Sequence, residues 1–151
     1  MTDKDYMLIA LNEAKKSLKS DDVPVGVVIV KDDVILAKAY NSRVKNCSTT
    51  SHAEILAINK ANKKLNSSRL DGAIIYTTKE PCLMCMGAIL SARIKKIVYG
   101  ASDLRFGTKD LATNNNFNYK CQIEGGVLEK DCAKLLSDFF KKLRWKYVGA
   151  N

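Results

Sequence analysis

Two cysteines and the single histidine are the residues whose types and spacing suggest metal chemistry. Cys82 and Cys85 lie in the segment "EPCLMCM", and His52 opens the segment "HAEI". Thiolate and imidazole groups are typical zinc ligands, and three protein ligands leave the fourth tetrahedral position to water, as in catalytic sites. A structural zinc site would need a fourth protein ligand, and the other three cysteines are scattered along the chain. A Cys-x-x-Cys pair can also be a redox pair, and that alternative remains open.

Glu54, two residues after His52, is the candidate proton shuttle. A carboxylate beside an activated water can accept its proton and deliver it to a leaving group. The alternative is structural, because Ser51 and Glu54 have the S-x-x-E spacing of a helix capping box. Taken alone, Glu54 is better interpreted as a cap and His52 as a buried histidine. The combination of H-A-E with P-C-L-M-C favours the catalytic interpretation for both.

Hydrophobic periodicity and turn residues predict the elements that must position these side chains. The predicted elements are a helix over residues 3–19, an antiparallel hairpin over 25–40, a helix over 52–64, a strand over 73–78, a helix over 82–93, a strand over 95–101, a short strand near 121–123 and a helix over 129–145.

This order predicts helices on both faces of a mixed sheet. The run "VGVVIV" is apolar throughout, so its strand should be covered on both faces. Tyr6, Ala10 and Leu18 share one face of the first helix. Pro81 suits the first turn of the helix that carries the cysteines. Because crossover helices start at the carboxyl ends of strands, we expect the cysteines and the histidine to converge in one crevice.

The composition is that of a globular chain with an excess of positive charge. At 151 residues and 46% apolar content the chain fits one domain. No apolar run is long enough to span a bilayer and the start is not a signal peptide, so we expect a cytoplasmic protein with reduced thiols. A net charge of +9 favours a polyanionic partner, although a lysine-rich soluble surface is the simpler alternative.

The motifs resemble those of the cytidine-deaminase-like superfamily, and most closely those of bacterial tRNA-specific adenosine deaminases. The pattern H-x-E followed by P-C-x-x-C is the signature of zinc nucleobase deaminases. The resemblance covers nearly the whole chain. It is carried by "VPVGVVIV" at 23–30, Asn41, "HAEILAI" at 52–58, "YTTKEPCLMCMGAI" at 76–89, "RIKKIVYGASD" at 93–103 and "GGVLEKDCAKLLSDFFKKLR" at 125–144.

The resemblance implies a single deaminase domain over residues 1–151, with a three-layer α/β/α fold around a mixed five-stranded sheet. It implies a homodimer that converts adenosine to inosine at the first anticodon position of tRNA, by attack of zinc-bound hydroxide. In that chemistry one Zn²⁺ per subunit is bound by one histidine and two cysteines, and a glutamate shuttles protons. These roles fall on His52, Cys82, Cys85 and Glu54.

The resemblance also implies substrate contacts. Asn41 and the backbone near Ala53 would bind and orient the flipped base, and Asp103 and Phe140 would contact anticodon-loop nucleotides. Simpler roles exist for three of these residues: Asn41 as a strand end, Asp103 as a turn former and Phe140 as a core residue. Basic residues around Trp145 would contact phosphates; they are Lys141, Lys142, Arg144 and Lys146.

Two segments depart from the family pattern. Before the histidine the family has Asp-Pro-Thr-Ala, where this chain has Ser-Thr-Thr-Ser at 48–51. Beyond Asp103 the family has a Gly-Ser step that residues 104–119 lack. A deaminase acting on a free base or nucleoside, of the cytosine or guanine type, is therefore the alternative enzyme. A non-catalytic RNA-binding subunit that retains zinc for folding is the alternative outside enzymes. Cys47, five residues before His52, has no role assigned by these patterns.

Overall fold

The computed structural model describes residues 1–146, which form one mixed five-stranded sheet flanked by helices. The strands are β1 (Gly26–Lys31), β2 (Val34–Tyr40), β3 (Ile74–Lys79), β4 (Lys96–Ala101) and β5 (Gln122–Glu124). The α-helices are α1 (Asp3–Lys15), α2 (Arg43–Asn46), α3 (Ala53–Leu65), α4 (Leu83–Ser91) and α5 (Glu129–Arg144). Two 3₁₀ helices cover Lys16–Ser20 and Lys109–Ala112.

The strand order in the sheet is β2-β1-β3-β4-β5. β1 is antiparallel to both β2 and β3, whereas β3–β4 and β4–β5 are parallel pairs. Strands β2 to β5 therefore all run in one direction and β1 runs in the other. This places the carboxyl ends of β2 and β3 at the same edge of the sheet, where α3 and α4 begin.

Two apolar layers, one on each face of the sheet, make the fold a three-layer α/β/α structure. Helices α3 and α4 pack over one face together with Val27 and Ile29, and α1 and α5 pack over the other with Val28 and Val30. Alternate side chains of a strand point to opposite faces, so β1 contributes to both layers. This confirms the prediction that the "VGVVIV" strand is covered on both faces.

The β1–β2 hairpin turns at Asp32 and Asp33, as predicted. Both residues have positive φ angles, 50° and 62°. Such a pair of left-handed residues defines the turn whose twist matches that of the flanking strands, and aspartate tolerates this conformation. The turn lies at the opposite end of the sheet from the carboxyl ends of β2 and β3.

The first helix differs from the prediction over residues 3–19. It ends at Lys15 and tightens into a 3₁₀ turn. A 3₁₀ helix has three residues per turn instead of 3.6, which rotates Leu18 off the buried face. Leu18 is 41% exposed, and Ser17 is buried instead.

Three further local features were predicted wrongly or missed. Pro81 precedes α4 rather than opening its first turn, because Cys82 is the N-cap residue and the helix begins at Leu83. The short helix α2 and the 3₁₀ helix at Lys109–Ala112 fall in stretches for which the sequence predicted no helix or strand. Within residues 1–146, every helix is too short or too polar to cross a bilayer.

Candidate metal and active site

The first turns of α3 and α4 bring the three predicted metal ligands together. His52 is the N-cap residue of α3, and Cys82 is the N-cap residue of α4, with Cys85 one turn further on. Helix N-termini favour negative charge, so they suit thiolates. The convergence follows from the sheet, because α3 follows β2 by way of α2 and α4 follows β3, and these parallel strands end at one edge.

The donor atoms have the spacing of a tetrahedral zinc site. His52 Nδ1 lies 3.6 Å from Cys82 Sγ and 3.6 Å from Cys85 Sγ. Zn–N bonds of about 2.0 Å and Zn–S bonds of about 2.3 Å at a tetrahedral angle require an N···S separation of about 3.5 Å. All three donor atoms lie within 4.8 Å of one another, in the single such His, Cys, Asp or Glu cluster of residues 1–146. The triad could therefore hold a metal ion, and its donor set fits zinc.

The surrounding residues shift the pKa values of the two cysteines in opposite directions. A hydrogen bond from Cys85 and the nearby His52 lower the pKa of Cys82 to about 5, despite partial burial. The same hydrogen bond, together with burial, raises the pKa of Cys85. A divalent cation bound by the triad would favour the thiolate form of both residues, because it is the largest local charge.

Glu54 is a buried carboxyl group beside the triad and not a helix cap. A capping box of Ser51 and Glu54 would need Ser51 as the N-cap residue. The N-cap residue of α3 is His52 instead, its side chain makes no capping hydrogen bond, and Glu54 is the second residue of the helix. The capping-box interpretation of Ser51 and Glu54 is therefore wrong. Burial raises the pKa of Glu54 to about 7. A carboxyl group with a pKa near neutrality can both accept and donate protons at physiological pH.

A cavity of about 170 Å³ lies in front of the triad. Six of the residues that line it are Asn41, Arg43, His52, Ala53, Glu54 and Cys82. Ala53 is the first residue of α3, so its backbone N–H is one of the first-turn amides that have no partner within the helix. The lining of the cavity thus combines metal ligands, a buried acid and hydrogen-bonding groups.

Asn41 is fixed by three hydrogen bonds and keeps one buried acceptor unused. Its side-chain Nδ2 donates to Val23 O at 3.0 Å, its backbone N–H donates to Val25 O at 2.9 Å, and its carbonyl accepts from Ser17 Oγ at 2.8 Å. Its Oδ1 is buried without a partner among residues 1–146. A buried unsatisfied acceptor is costly, and Asn41 also lines the cavity, so its side-chain amide is a candidate for binding a ligand.

The structure does not place Asp103 and Phe140 on the cavity wall. Asp103 Oδ1 accepts from the amides of Arg105 and Phe106, which is the contact of a turn former, and Oδ2 pairs with Lys79 at 3.1 Å. Although burial opposes it, the hydrogen bonds to the Phe106 amide and Lys79 hold the pKa of Asp103 below its usual value. Phe140 is 38% exposed and contacts Phe139 edge-on, so it is at the surface rather than in the core. Cys47 is exposed and does not belong to the triad.

Sequence reasoning missed two buried acids that support the cavity. Asp22 accepts from the amides of Val44 and Lys45 and so holds the start of α2, which carries Arg43. Glu80, next to Pro81 and Cys82, lines the cavity. A signal existed for both, since Glu80 directly follows β3 and Asp22 directly precedes the motif segment at 23–30, but their partners are more than 20 residues away.

The fold and the triad with its buried acid together define a deaminase, and comparison with known proteins specifies the family. The model of the MafB19-like deaminases matches residues 1–144. The tRNA-specific adenosine deaminase of Bacillus subtilis is 41% identical over 152 residues, covering 98% of this chain and 94% of that protein. The chain belongs to the family of tRNA-specific adenosine deaminases.

Solved structures agree with this assignment. A structure from a study of A-to-I editing by tRNA:A34 deaminases superposes with a TM-score of 0.80 at 34% identity, covering 87% of this chain and 99% of that one. The guanine deaminase of Bacillus subtilis superposes with a TM-score of 0.65 at 40% identity, covering 68% of this chain and 66% of that one. The second of these structures is of an enzyme named for a free base, guanine.

Proposed function

We propose that the protein deaminates adenosine to inosine at the first anticodon position of a tRNA, using zinc. The observation that carries the proposal is the cavity whose lining includes Glu54, Asn41 and two residues of the triad, His52 and Cys82. Membership of the adenosine deaminase family supplies the substrate class. The reaction consumes one water and releases one ammonia.

His52, Cys82 and Cys85 would hold one Zn²⁺ per subunit. When bound, zinc supplies Lewis-acid activation of a water molecule. Glu54 would accept the first proton of the attacking water and deliver it to a ring nitrogen of the base. It would then accept the second proton, from the hydroxyl group now on the ring carbon, and deliver it to the amino group, which leaves as ammonia. Its buried position and raised pKa suit both directions of transfer.

The remaining cavity residues would bind the flipped nucleotide. Asn41 Oδ1 would accept a hydrogen bond from the substrate, and the Ala53 amide would orient the base. Taking a base out of its stack costs a few kcal/mol, and the cost is smaller in a single-stranded loop. Asp103, Phe140 and the basic end of α5 would contact neighbouring nucleotides or phosphates.

We further propose that the protein works as a homodimer. Leu83 on α4 and Phe117 are exposed, and both line an apolar depression of about 270 Å³ beside α4. Gly87 on the same helix has open space around it, so a second copy could approach closely. Light scattering of the purified protein would show twice the chain mass; a monomeric mass would contradict this part of the proposal.

The domain and its location complete the proposal. One deaminase domain over residues 1–151 remains a prediction, and a tRNA substrate implies a cytoplasmic location.

The second candidate function is deamination of a free base, and the likeness to the Bacillus subtilis guanine deaminase supports retaining this candidate. The third, a non-catalytic RNA-binding subunit, leaves the buried Glu54 without a role.

An anticodon stem-loop assay separates these functions. The substrate carries adenosine at the first anticodon position, and its matched control carries the adenosine one position further along. Inosine in the first RNA and not in the second supports the proposal. Ammonia released from guanine or cytosine but not from the RNA would establish the second candidate. Zinc-loaded protein without turnover on any substrate would establish the third.

A further inference from the structure

The buried carboxylate of Glu80 connects the metal-ligand segment to a distant loop. Glu80 Oε1 accepts the amide of Asp103 at 3.1 Å, and Oε2 accepts the amide of Lys109 at 3.1 Å. The backbone N–H of Glu80 donates to Ala101 O at 2.8 Å. Both ends of segment 103–109 are therefore fixed to one side chain, which lies two residues before Cys82.

The loop is built around this carboxylate. A Cβ atom at Gly107 would lie 2.1 Å from Glu80 Oε2 and 2.3 Å from Asp103 O, so only glycine allows the observed approach. Thr108 Oγ1 donates to Pro81 O at 2.9 Å, which adds a second connection to the same strand end. Burying a carboxylate is costly unless its oxygens are satisfied, and here each oxygen accepts an amide.

Segment 103–109 lies next to the cavity and presents unusual side chains to solvent. Asp103 pairs with Lys79, which lines the cavity together with Glu80. Leu104 is 99% exposed and Phe106 is 69% exposed. Without its anchor, a loop with two such exposed apolar side chains would have little to keep it in one conformation.

We propose that Glu80 is a positioning residue that fixes segment 103–109 against the metal-ligand segment and so sets the shape of the cavity entrance. This inference rests on the proposed function only for the identity of the substrate. The loop acts on substrate binding, whereas the metal ligands and Glu54 act on the chemical step. Removing the anchor therefore weakens binding of a polymeric substrate and leaves turnover of the bound base nearly unchanged.

Two substitutions break the anchor from opposite sides. Glu80→Gln keeps the size of the side chain but directs an NH₂ group at one of the two amides, so one hydrogen bond is lost. Gly107→Ala leaves the Glu80 charge intact and displaces the loop by steric overlap. The matched control is Glu124→Gln, which removes an exposed carboxylate that pairs with Lys96 at the sheet edge.

The test measures steady-state kinetics on the anticodon stem-loop and amide hydrogen exchange of the full zinc-loaded protein. We expect both variants to raise KM roughly five- to tenfold, to change kcat less than about twofold and to keep the wild-type zinc content. The amides of Asp103 and Lys109 should exchange faster, while those of β3 and β4 stay protected. Glu124→Gln should match the wild type in every readout.

Two results would overturn the inference. One is wild-type exchange and KM in Glu80→Gln. The other is a lowered kcat in Glu80→Gln with unaltered kinetics in Gly107→Ala, which would mean that Glu80 acts on the substrate directly. If the wild-type protein does not deaminate the stem-loop, the proposed function fails, and the exchange of segment 103–109 in the two variants still decides whether Glu80 positions the loop.

Discussion

Glu54 and His52 are two residues apart on one helix turn, yet substituting them should have different effects on the protein. His52 contributes a donor atom to the triad, whereas Glu54 is buried beside the triad and contributes none of the three donor atoms. Loss of a ligand should remove the metal and the stability that comes with it. Loss of the acid should remove only the proton transfer.

We predict that Glu54→Ala and the isosteric Glu54→Gln retain zinc and fold but lose turnover. General acid–base groups contribute typically about 10²- to 10⁴-fold, so kcat on the stem-loop should fall by that order. Zinc content and the thermal transition, measured beside Glu129→Gln as an exposed control, should match the wild type. Undiminished turnover would eliminate Glu54 as the proton shuttle.

We predict that His52→Ala releases zinc and lowers the unfolding temperature, because metal binding contributes to the free energy of folding. Cys47→Ala is the matched control, since Cys47 is an exposed cysteine outside the triad. Metal analysis after dialysis should give about one zinc per chain for the control and far less for His52→Ala. A full complement of zinc in His52→Ala would exclude His52 from the ligand set.

At the residue scale, sequence reasoning identified the members of the triad but not their supports. The histidine and cysteine motifs are local patterns whose spacing is visible in the chain. Glu80 acts through the amides of Asp103 and Lys109, which are 23 and 29 residues away. No local pattern encodes such a pairing, so its detection needed the fold.

The β1–β2 hairpin turns through two aspartates in a backbone conformation that glycine adopts more easily. Asp33 has a φ of 62°, in the left-handed region that favours glycine. A residue with a Cβ atom pays roughly 1 kcal/mol in this region, less for aspartate, which can form local hydrogen bonds.

We predict that Asp33→Gly raises the free energy of unfolding by about 0.5 kcal/mol, since Asp-Gly is a favoured sequence for this turn. Asp33→Ala should lower it, because alanine has the Cβ atom without the polar side chain. Urea denaturation monitored by circular dichroism measures both. A turn that tolerates alanine as well as glycine would contradict the left-handed conformation at this position.

At the element scale, periodicity predicted the five strands and the long helices, and it failed where side chains from elsewhere decide the structure. The helix α2 has only four residues, and its first amides are held by Asp22. The first helix ends early because Ser17 turns inwards to bind the carbonyl of Asn41. Neither contact leaves a periodic trace in the sequence.

The excess of positive charge is a property of the whole molecule. The structure shows which basic side chains form ion pairs and which do not. Lys146 pairs with Asp21 at 3.3 Å, and Lys134 pairs with Asp138 at 2.8 Å. Lys141, Lys142 and Arg144 are exposed and form no ion pair with residues 1–146. These three cations on α5 are the best candidates for phosphate contacts.

We predict that replacing Lys141, Lys142 and Arg144 by alanine weakens stem-loop binding and its dependence on salt. Each phosphate contact to a single strand contributes about 0.7 to the slope of log K against log salt concentration, so the slope should shrink by about 2. Fluorescence anisotropy with the Glu54→Ala protein measures binding without turnover. Lys134→Ala, on the same helix, should leave the slope unchanged; a triple variant with the wild-type slope would place the RNA elsewhere.

The hairpin turn at Asp32 and Asp33 lies at the end of the sheet opposite the cavity, which makes it a suitable position for attaching a label. A fluorophore or an affinity handle inserted there would sit a full strand length from the bound nucleotide. A protein labelled in this way could report on the binding of intact tRNA in single-molecule experiments, because the label would not obstruct the active site.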